Sequence, residues 1–312
     1  MSAQIGTRKK DLLTLFDHST EHIREILRLA AELKAKRCSN QYSKLLDNKT
    51  GVLIFEKPSL RTRISFETAI HELGGHVINL ASEAVGIGTR ESIEDVARNL
   101  ERIVHLIVYR TFGHNKIESM ARSSAIPVIN ALTDTHHPCQ ALAFGLTVAE
   151  ARGDVRQNVL FAGDGNNVCN SIMVICAKLG HNFTFAGPKG YEPNGEIVKR
   201  CREIAAQNGG EINITNDLYK AAANAEVIYT DVWTSMGQEE QAQERKAIFA
   251  DYQVNSALMA AASKDVLVSH CLPALRGEEI TSEALDSKNS VAFEEAENRL
   301  HVQKAVIVQQ FS

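Results

Sequence analysis

The 312-residue sequence has no Cys-x-x-Cys pair, no apolar run near the ~20 residues that span a bilayer, and no excess of basic charge. Its six cysteines, Cys38, Cys139, Cys169, Cys176, Cys201 and Cys271, lack the spacing of a structural zinc site. A chain of this size needs no disulfide staples, so reduced thiols in a cytoplasmic protein are expected. His136, His137 and Cys139 stand close together, but a local trio of this kind is more often something other than a metal site, and no metal is expected. A net charge of −4 leaves nothing to condense on nucleic acid or anionic lipid, which argues against both as partners. Met1 to Asp11 is polar and basic with no apolar stretch behind it, unlike a secretory signal. There is no repeat at a period of roughly 20–50 residues, no low-complexity linker and no Gly-x-x-x-x-Gly-Lys phosphate loop. Gly163-Asp164-Gly165-Asn166-Asn167 has Val168 where a dinucleotide loop needs its third glycine, which argues against a nicotinamide cofactor.

What remains is an ordinary globular composition, 44% apolar and 23% charged, long enough for about two domains. Short β-branched runs alternate with helical stretches. Strands are predicted at Val52–Phe55, Val77–Leu80, Leu106–Tyr109 and Ile126–Ile129, and again at Asn158–Ala162, Asn182–Ala186, Glu211–Ile214, Val227–Tyr229 and Val266–Val268. Helices are predicted at Ser65–Leu73, with Ile64, Phe66, Ile70 and Leu73 on its apolar side, and at Ser92–Ile103, opened by a Ser92/Asp95 capping box. Further helices are expected at Gln140–Arg152, Val168–Leu179, Gly195–Gln207, Asp217–Ala223 and Glu297–Gln309. This alternation implies two parallel sheets, each covered by helices on both faces, with a cleft between the two halves.

Ligands bind at the carboxyl ends of parallel strands. The residues there are unusually polar: Glu56 to Arg63, Arg110-Thr111, His136 to Gln140, Gly163 to Asn167, Asp231 to Gly237, and Ser269 to Pro273. Ser59 to Arg63 spans a strand-to-helix turn, where backbone N–H groups and the helix dipole favour an anion, and Arg61 and Thr62 add side-chain donors. The same spacing also suits a Ser59-capped helix with solvated arginines. Arg110 could serve the anion or simply solvate a strand end. His137 and Gln140, around Pro138 at a helix start, could polarise a carbonyl or cap the helix. Asp231 offers a carboxylate to an amino group, and Asn167 suits a zwitterionic ligand. Cys271 follows a strand, where it is either a thiol of lowered pKa or an inert buried one.

Four motifs, Phe55 to Arg63, His137-Pro138-Cys139-Gln140, Asp231-Val232-Trp233-Thr234-Ser235-Met236-Gly237 and His270-Cys271-Leu272-Pro273, occur in one order across nearly the whole chain. Together they resemble the transcarbamylase family, most nearly its ornithine-using members. The resemblance implies two doubly wound α/β domains, residues 1–149 and 150–294, with a C-terminal helix over 295–312 crossing back to the first. It implies a homotrimer or an assembly of trimers, no metal or organic cofactor, and carbamoyl transfer from carbamoyl phosphate to the δ-amine of L-ornithine in arginine metabolism. It assigns Ser59, Leu60, Arg61, Thr62, Arg110, His137, Gln140 and Arg299 to carbamoyl phosphate. Lys57 matches a family lysine nearby. Asn167, Asp231, Ser235, Met236, Cys271 and Leu272 are assigned to ornithine, and Arg110, Asp231 and Cys271 to catalysis. Two departures stand out. The family usually carries threonine at Leu60, and a glutamine or histidine near Gly86. Each implies a lost hydrogen bond and a lower affinity for carbamoyl phosphate.

Overall fold

The computed structural model describes residues 11–42, 44–81, 86–234 and 239–311. The chain forms two compact units. One comprises the described residues up to Cys139 and those from Arg299 onward, and the other is Gln140–Asn298.

The first unit is built on a parallel sheet of β1 (Thr50–Phe55), β2 (His76–Ala81), β3 (Leu106–Arg110) and β4 (Val128–Leu132), in the order β2-β1-β3-β4. The second is built on a parallel sheet of β5 (Asn158–Ala162), β6 (Asn182–Ala186), β7 (Ile212–Thr215), β8 (Val227–Thr230) and β9 (Leu267–His270), in the order β7-β6-β5-β8-β9. Each order reverses once, between β1 and β3 in the first sheet and between β5 and β8 in the second. Chain direction there leaves a crevice at the strand ends, where ligands of such sheets bind. The register pairs Phe55 with Arg110 and Ala162 with Thr230, so the residues that follow these four strands emerge side by side.

The two cores are separate. Val52, Ile54, Ile107 and Tyr109 pack with Ile117 and Met120 in the first unit. Leu160, Ala162, Ile228 and Val268 pack with Val254 and Leu258 in the second. Central strands buried on both faces explain the near-continuous apolar runs in the sequence.

The predicted strands all form, two with the expected bounds and the rest with ends shifted by at most three residues, and β4 begins just after Pro127, whose ring cannot donate to a ladder. Several expectations are corrected. The helix expected from Ser65 runs Leu60–Glu72, and Ile64 is 53% exposed while Phe66 and Ile70 are fully buried. Ile64 therefore lies off the buried stripe. The final helix begins at Ala292, five residues before Glu297. Helices Thr20–Cys38, His114–Ser123, Ala242–Phe249 and Ser256–Ala261 were not anticipated.

Candidate active site

In the first unit, β1 leads through Glu56–Pro58 into helix Leu60–Glu72, and β3 ends at Arg110. Ser59 occupies the N-cap position but its hydroxyl makes no capping bond; it accepts instead from Arg110 Nη1 at 3.3 Å. The capped-helix alternative is thus replaced by a link between two strand ends. Thr62 is 1% exposed and its hydroxyl accepts from Arg299 Nη2 at 2.5 Å, so the final helix brings a third guanidinium to this turn. Glu56 anchors the assembly from behind. It accepts from Tyr109 Oη, from Thr111 Oγ1 at 2.7 Å and from Lys116 Nζ at 3.0 Å. Burial would raise its carboxyl, but these donors outweigh that and hold it below its ordinary value. Lys57 is buried, its ammonium 4.1 Å from the centroid of Phe112.

His137 is fully enclosed beside this cluster. Burial, then the guanidiniums of Arg299, Arg110 and Arg61, push its pKa well below the usual histidine range. It is a neutral imidazole in a cationic nest, able to offer one N–H without adding charge. Three arginines around one buried neutral ring make a positive site whose planar donors suit an anion.

In the second unit, β5 leads through Gly163–Asn166 into helix Asn167–Leu179. Gly165 is required: a Cβ there would come within 2.3 Å of the Pro193 nitrogen. Asn166 caps the helix, accepting from the Val168 and Cys169 N–H groups at 3.0 Å each. Its Nδ2 donates to Asp231 Oδ2 at 2.8 Å, and Asp231 Oδ1 accepts from Val232 N–H and from Cys271 Sγ, both at 2.8 Å. Asp231 and Cys271 are both buried. Nearby, Arg245 Nη2 meets Asp164 Oδ2 at 2.5 Å. Burial nevertheless pushes the Asp164 carboxyl up to about 6, and the charge of Asp231 adds to this.

The loop after β9 is held by a buried pair. His270 Nδ1 accepts from Leu272 N–H at 2.8 Å, and Nε2 donates to Glu279 Oε1 at 3.0 Å, which also accepts from Leu275 N–H at 2.7 Å. Asp231, His270 and Cys271 place potential ligand atoms within 4.8 Å of one another. Both nitrogens of His270 are committed to these bonds, however, so it serves the loop rather than a metal. Leu272 takes a positive φ of 54° and precedes a cis Pro273.

Deeper in the second unit, Glu295 is fully buried and gathers donors from three elements: Gln140 Nε2 at 2.5 Å, Tyr229 Oη at 2.8 Å and Ser269 Oγ at 2.5 Å. Burial and the Glu295 carboxylate push the Tyr229 phenol far up, which keeps it a donor.

Of the residues singled out from sequence, the first unit brings together Ser59, Arg61, Thr62, Arg110, His137 and Arg299. Leu60 opens the helix with its side chain 70% exposed. The second unit joins Asp231 to Cys271, places Leu272 on the same loop, and buries Gln140 against Glu295. Asn167 is the first helical residue, and it is Asn166 that reaches Asp231. Ser235 and Met236 lie outside the described residues. Sequence reasoning missed Asn166, Glu56 and Glu295. Only Asn166 carried a signal, since an Asx residue before a helix is a cap with a free amide.

Two family models match the chain: the carbamoyl-P binding domain of aspartate/ornithine carbamoyltransferase over residues 10–150, and the Asp/Orn binding domain over 156–309. The chain is 48% identical over 309 residues to an ornithine carbamoyltransferase of Anoxybacillus flavithermus, covering 99% of this chain and 98% of that protein. The solved structure of ornithine carbamoyltransferase from Pyrococcus furiosus superimposes with a TM-score of 0.94 at 44% identity, covering 97% of each chain. An anabolic ornithine carbamoyltransferase from Campylobacter jejuni superimposes with a TM-score of 0.92 at 37% identity, covering 97% of this chain and 99% of that one.

Proposed function

Because the chain belongs to the aspartate/ornithine carbamoyltransferase family, we infer that it transfers the carbamoyl group of carbamoyl phosphate to the δ-amine of L-ornithine, giving L-citrulline and phosphate in arginine biosynthesis. The observation that carries the reading is the buried neutral His137 ringed by Arg61, Arg110 and Arg299.

Carbamoyl phosphate is a dianion whose carbonyl must accept an amine. Its phosphate is held by Arg61, the Ser59–Thr62 turn and the N–H groups of the helix start. Arg110, Thr62 and the neutral His137 face the carbonyl oxygen, on which negative charge grows as the tetrahedral intermediate forms. A neutral imidazole donates there without giving up its proton. Arg299 adds a fixed positive charge, and Arg61 stabilises the departing phosphate. Gln140 reads the carbamoyl amide. The first unit, with Gln140 at its border, thus takes carbamoyl phosphate, and the second takes the amino acid.

Asp231 binds the ornithine ammonium end as a carboxylate already turned by Asn166 and Val232. Its bond to Cys271 fixes the thiol beside the reacting δ-amine, and the backbone around Leu272 orients that amine. The amine attacks as the neutral base. The C–N bond forms, the C–O bond to phosphate breaks, and the proton lost from nitrogen leaves through the Asp231–Cys271 pair or the departing phosphate. Asn167, Ser235 and Met236 complete the ornithine pocket in this reading.

The protein works as a homotrimer or an assembly of trimers in the cytoplasm. Leu60 and Ile64, one turn apart, are 70% and 53% exposed on the helix that carries the anion turn, an apolar face suited to a second copy. No helix among the described residues is long and apolar enough to cross a membrane. The direct test is citrulline formation from carbamoyl phosphate and ornithine, with putrescine and aspartate run in parallel. Faster turnover of putrescine or aspartate would overturn the substrate assignment. Light scattering on the purified protein reads the assembly, and a monomer would overturn the trimer.

A further inference from the structure

A glutamine amide can present either its oxygen or its nitrogen to a ligand, and the choice decides what it recognises. At Gln140 the choice is made by Glu295. Its Oε1 takes Gln140 Nε2 at 2.5 Å and Tyr229 Oη at 2.8 Å, and its Oε2 takes Ser269 Oγ at 2.5 Å, so both oxygens act as acceptors. Turning the amide over would set the Gln140 oxygen against a carboxylate oxygen, with no proton between them. Gln140 is 1% exposed, and its Oε1 finds no hydrogen-bond partner among the described residues. A buried carbonyl oxygen without a donor is costly unless a ligand supplies one.

We propose that Glu295 is a positioning residue for substrate selection: by holding the Gln140 amide nitrogen, it presents Oε1 as an acceptor for the –NH2 of the carbamoyl group, and so discriminates against acyl phosphates whose acyl group has no N–H. This rests on the reading that Gln140 serves carbamoyl phosphate. Acetyl phosphate is the discriminating probe, because a methyl replaces the amino group while the phosphate and the carbonyl are kept. Against it, the Gln140 oxygen meets a methyl and remains unpaired.

Glu295→Gln offers the sharpest perturbation. Its own –NH2 can pair with the Gln140 oxygen and let the amide turn over. The expected result is a rise of at least tenfold in KM for carbamoyl phosphate. The inhibition constant of acetyl phosphate, competing with carbamoyl phosphate, should change less than twofold. On a Gln140→Ala background, Glu295→Gln should add less than twofold to KM, since it acts only through that side chain. A loss shared equally by carbamoyl phosphate and acetyl phosphate would mean that Glu295 serves only packing, and would overturn the proposal. So would an unchanged KM, or a full additional loss on the Gln140→Ala background. Should Glu295→Gln fail to fold, Glu295→Asp, which withdraws the acceptor by one methylene, carries the same comparison. A wild-type enzyme that makes no citrulline would instead defeat the functional reading itself, and that outcome is separable because it needs no variant.

Discussion

Replacing Asp231 with asparagine keeps the side chain's shape and removes its charge. Three donors meet the native carboxylate: Asn166 Nδ2 at Oδ2, and Val232 N–H and Cys271 Sγ at Oδ1, all at 2.8 Å. An asparagine satisfies the last two only by turning its own –NH2 toward Asn166, so two donors then face each other. That mismatch costs ~1–3 kcal/mol, part of which relaxes because Asn166 is only half-buried. The second loss is functional. A charge-assisted bond to the ornithine ammonium contributes about 1.5–3 kcal/mol, a factor of roughly 10 to 150 in affinity. The thiol of Cys271 also loses its anionic partner, which lowers kcat. We expect kcat/KM for ornithine to fall by about 10²–10³. KM for carbamoyl phosphate should change less than threefold, because the partners of Asp231, namely Asn166, Val232 and Cys271, are not among the residues assigned to carbamoyl phosphate. Initial rates of citrulline formation at saturating levels of each co-substrate measure both. A drop in ornithine kcat/KM of less than threefold, or an equal rise in both KM values, would refute the placement of the amino-acid subsite.

Three further outcomes are expected. His137 stays neutral in the native protein, so below pH 6.5 the unfolded chain binds one proton more than the native one, and this residue's share of native stability falls with falling pH by up to ~1.4 kcal/mol per unit until the native ring protonates. Urea midpoints from pH 7 to 5 should therefore fall more steeply for the wild type than for His137→Gln, and parallel curves would contradict this. Leu60→Thr adds a hydroxyl at the first helical residue and should lower KM for carbamoyl phosphate about tenfold; an unchanged KM would show that the backbone alone serves the phosphate. Burial pushes Cys139 and Cys201 up to about 12 and raises Cys169 and Cys176 well above the ordinary thiol value. A disulfide reagent at pH 8 should accordingly titrate exposed Cys38 at once and Cys271 slowly, and rapid reaction of a third thiol would falsify that burial.

The sheets were legible because parallel central strands are buried on both faces, which leaves blocks such as Val52–Phe55 and Val159–Ala162 with almost no polar interruption. Helix Thr20–Cys38 was also readable: Ser19 caps it, and Ile23, Ile26, Leu27, Ala30 and Leu33 form its buried stripe. Its apolar residues are spaced three and four apart, a weaker signal than the contiguous runs of the strands. Ile64 was misassigned because a residue two positions from Phe66 sits on the other side of a helix. The strand-end clusters were legible as a group, since polar residues after apolar strands have little structural reason to be there. The partnerships were not. Ser59 looks like a cap, and only the fold supplies Arg110 to compete for its hydroxyl. Glu295 looks like one acid in an acidic helix start, and its donors come from positions 140, 229 and 269. Such links depend on topology, which one sequence does not display. Gly86 was read as a missing donor; its φ of 62°, with a Cβ that would meet Arg90 at 2.9 Å, gives a backbone reason for glycine at that turn.

The helix Ala292–Gln310 contributes Glu295 and Asn298 to one unit and Arg299 and Lys304 to the other, each making buried polar bonds there. During synthesis these residues leave the ribosome after the nine strands of the described residues have been made. Until then, Gln140 and Thr62 wait in nascent halves that lack their partners, so the buried polar links of both halves are completed late and by a single segment. Chains abandoned before this helix would carry both sheets without the polar links that it supplies.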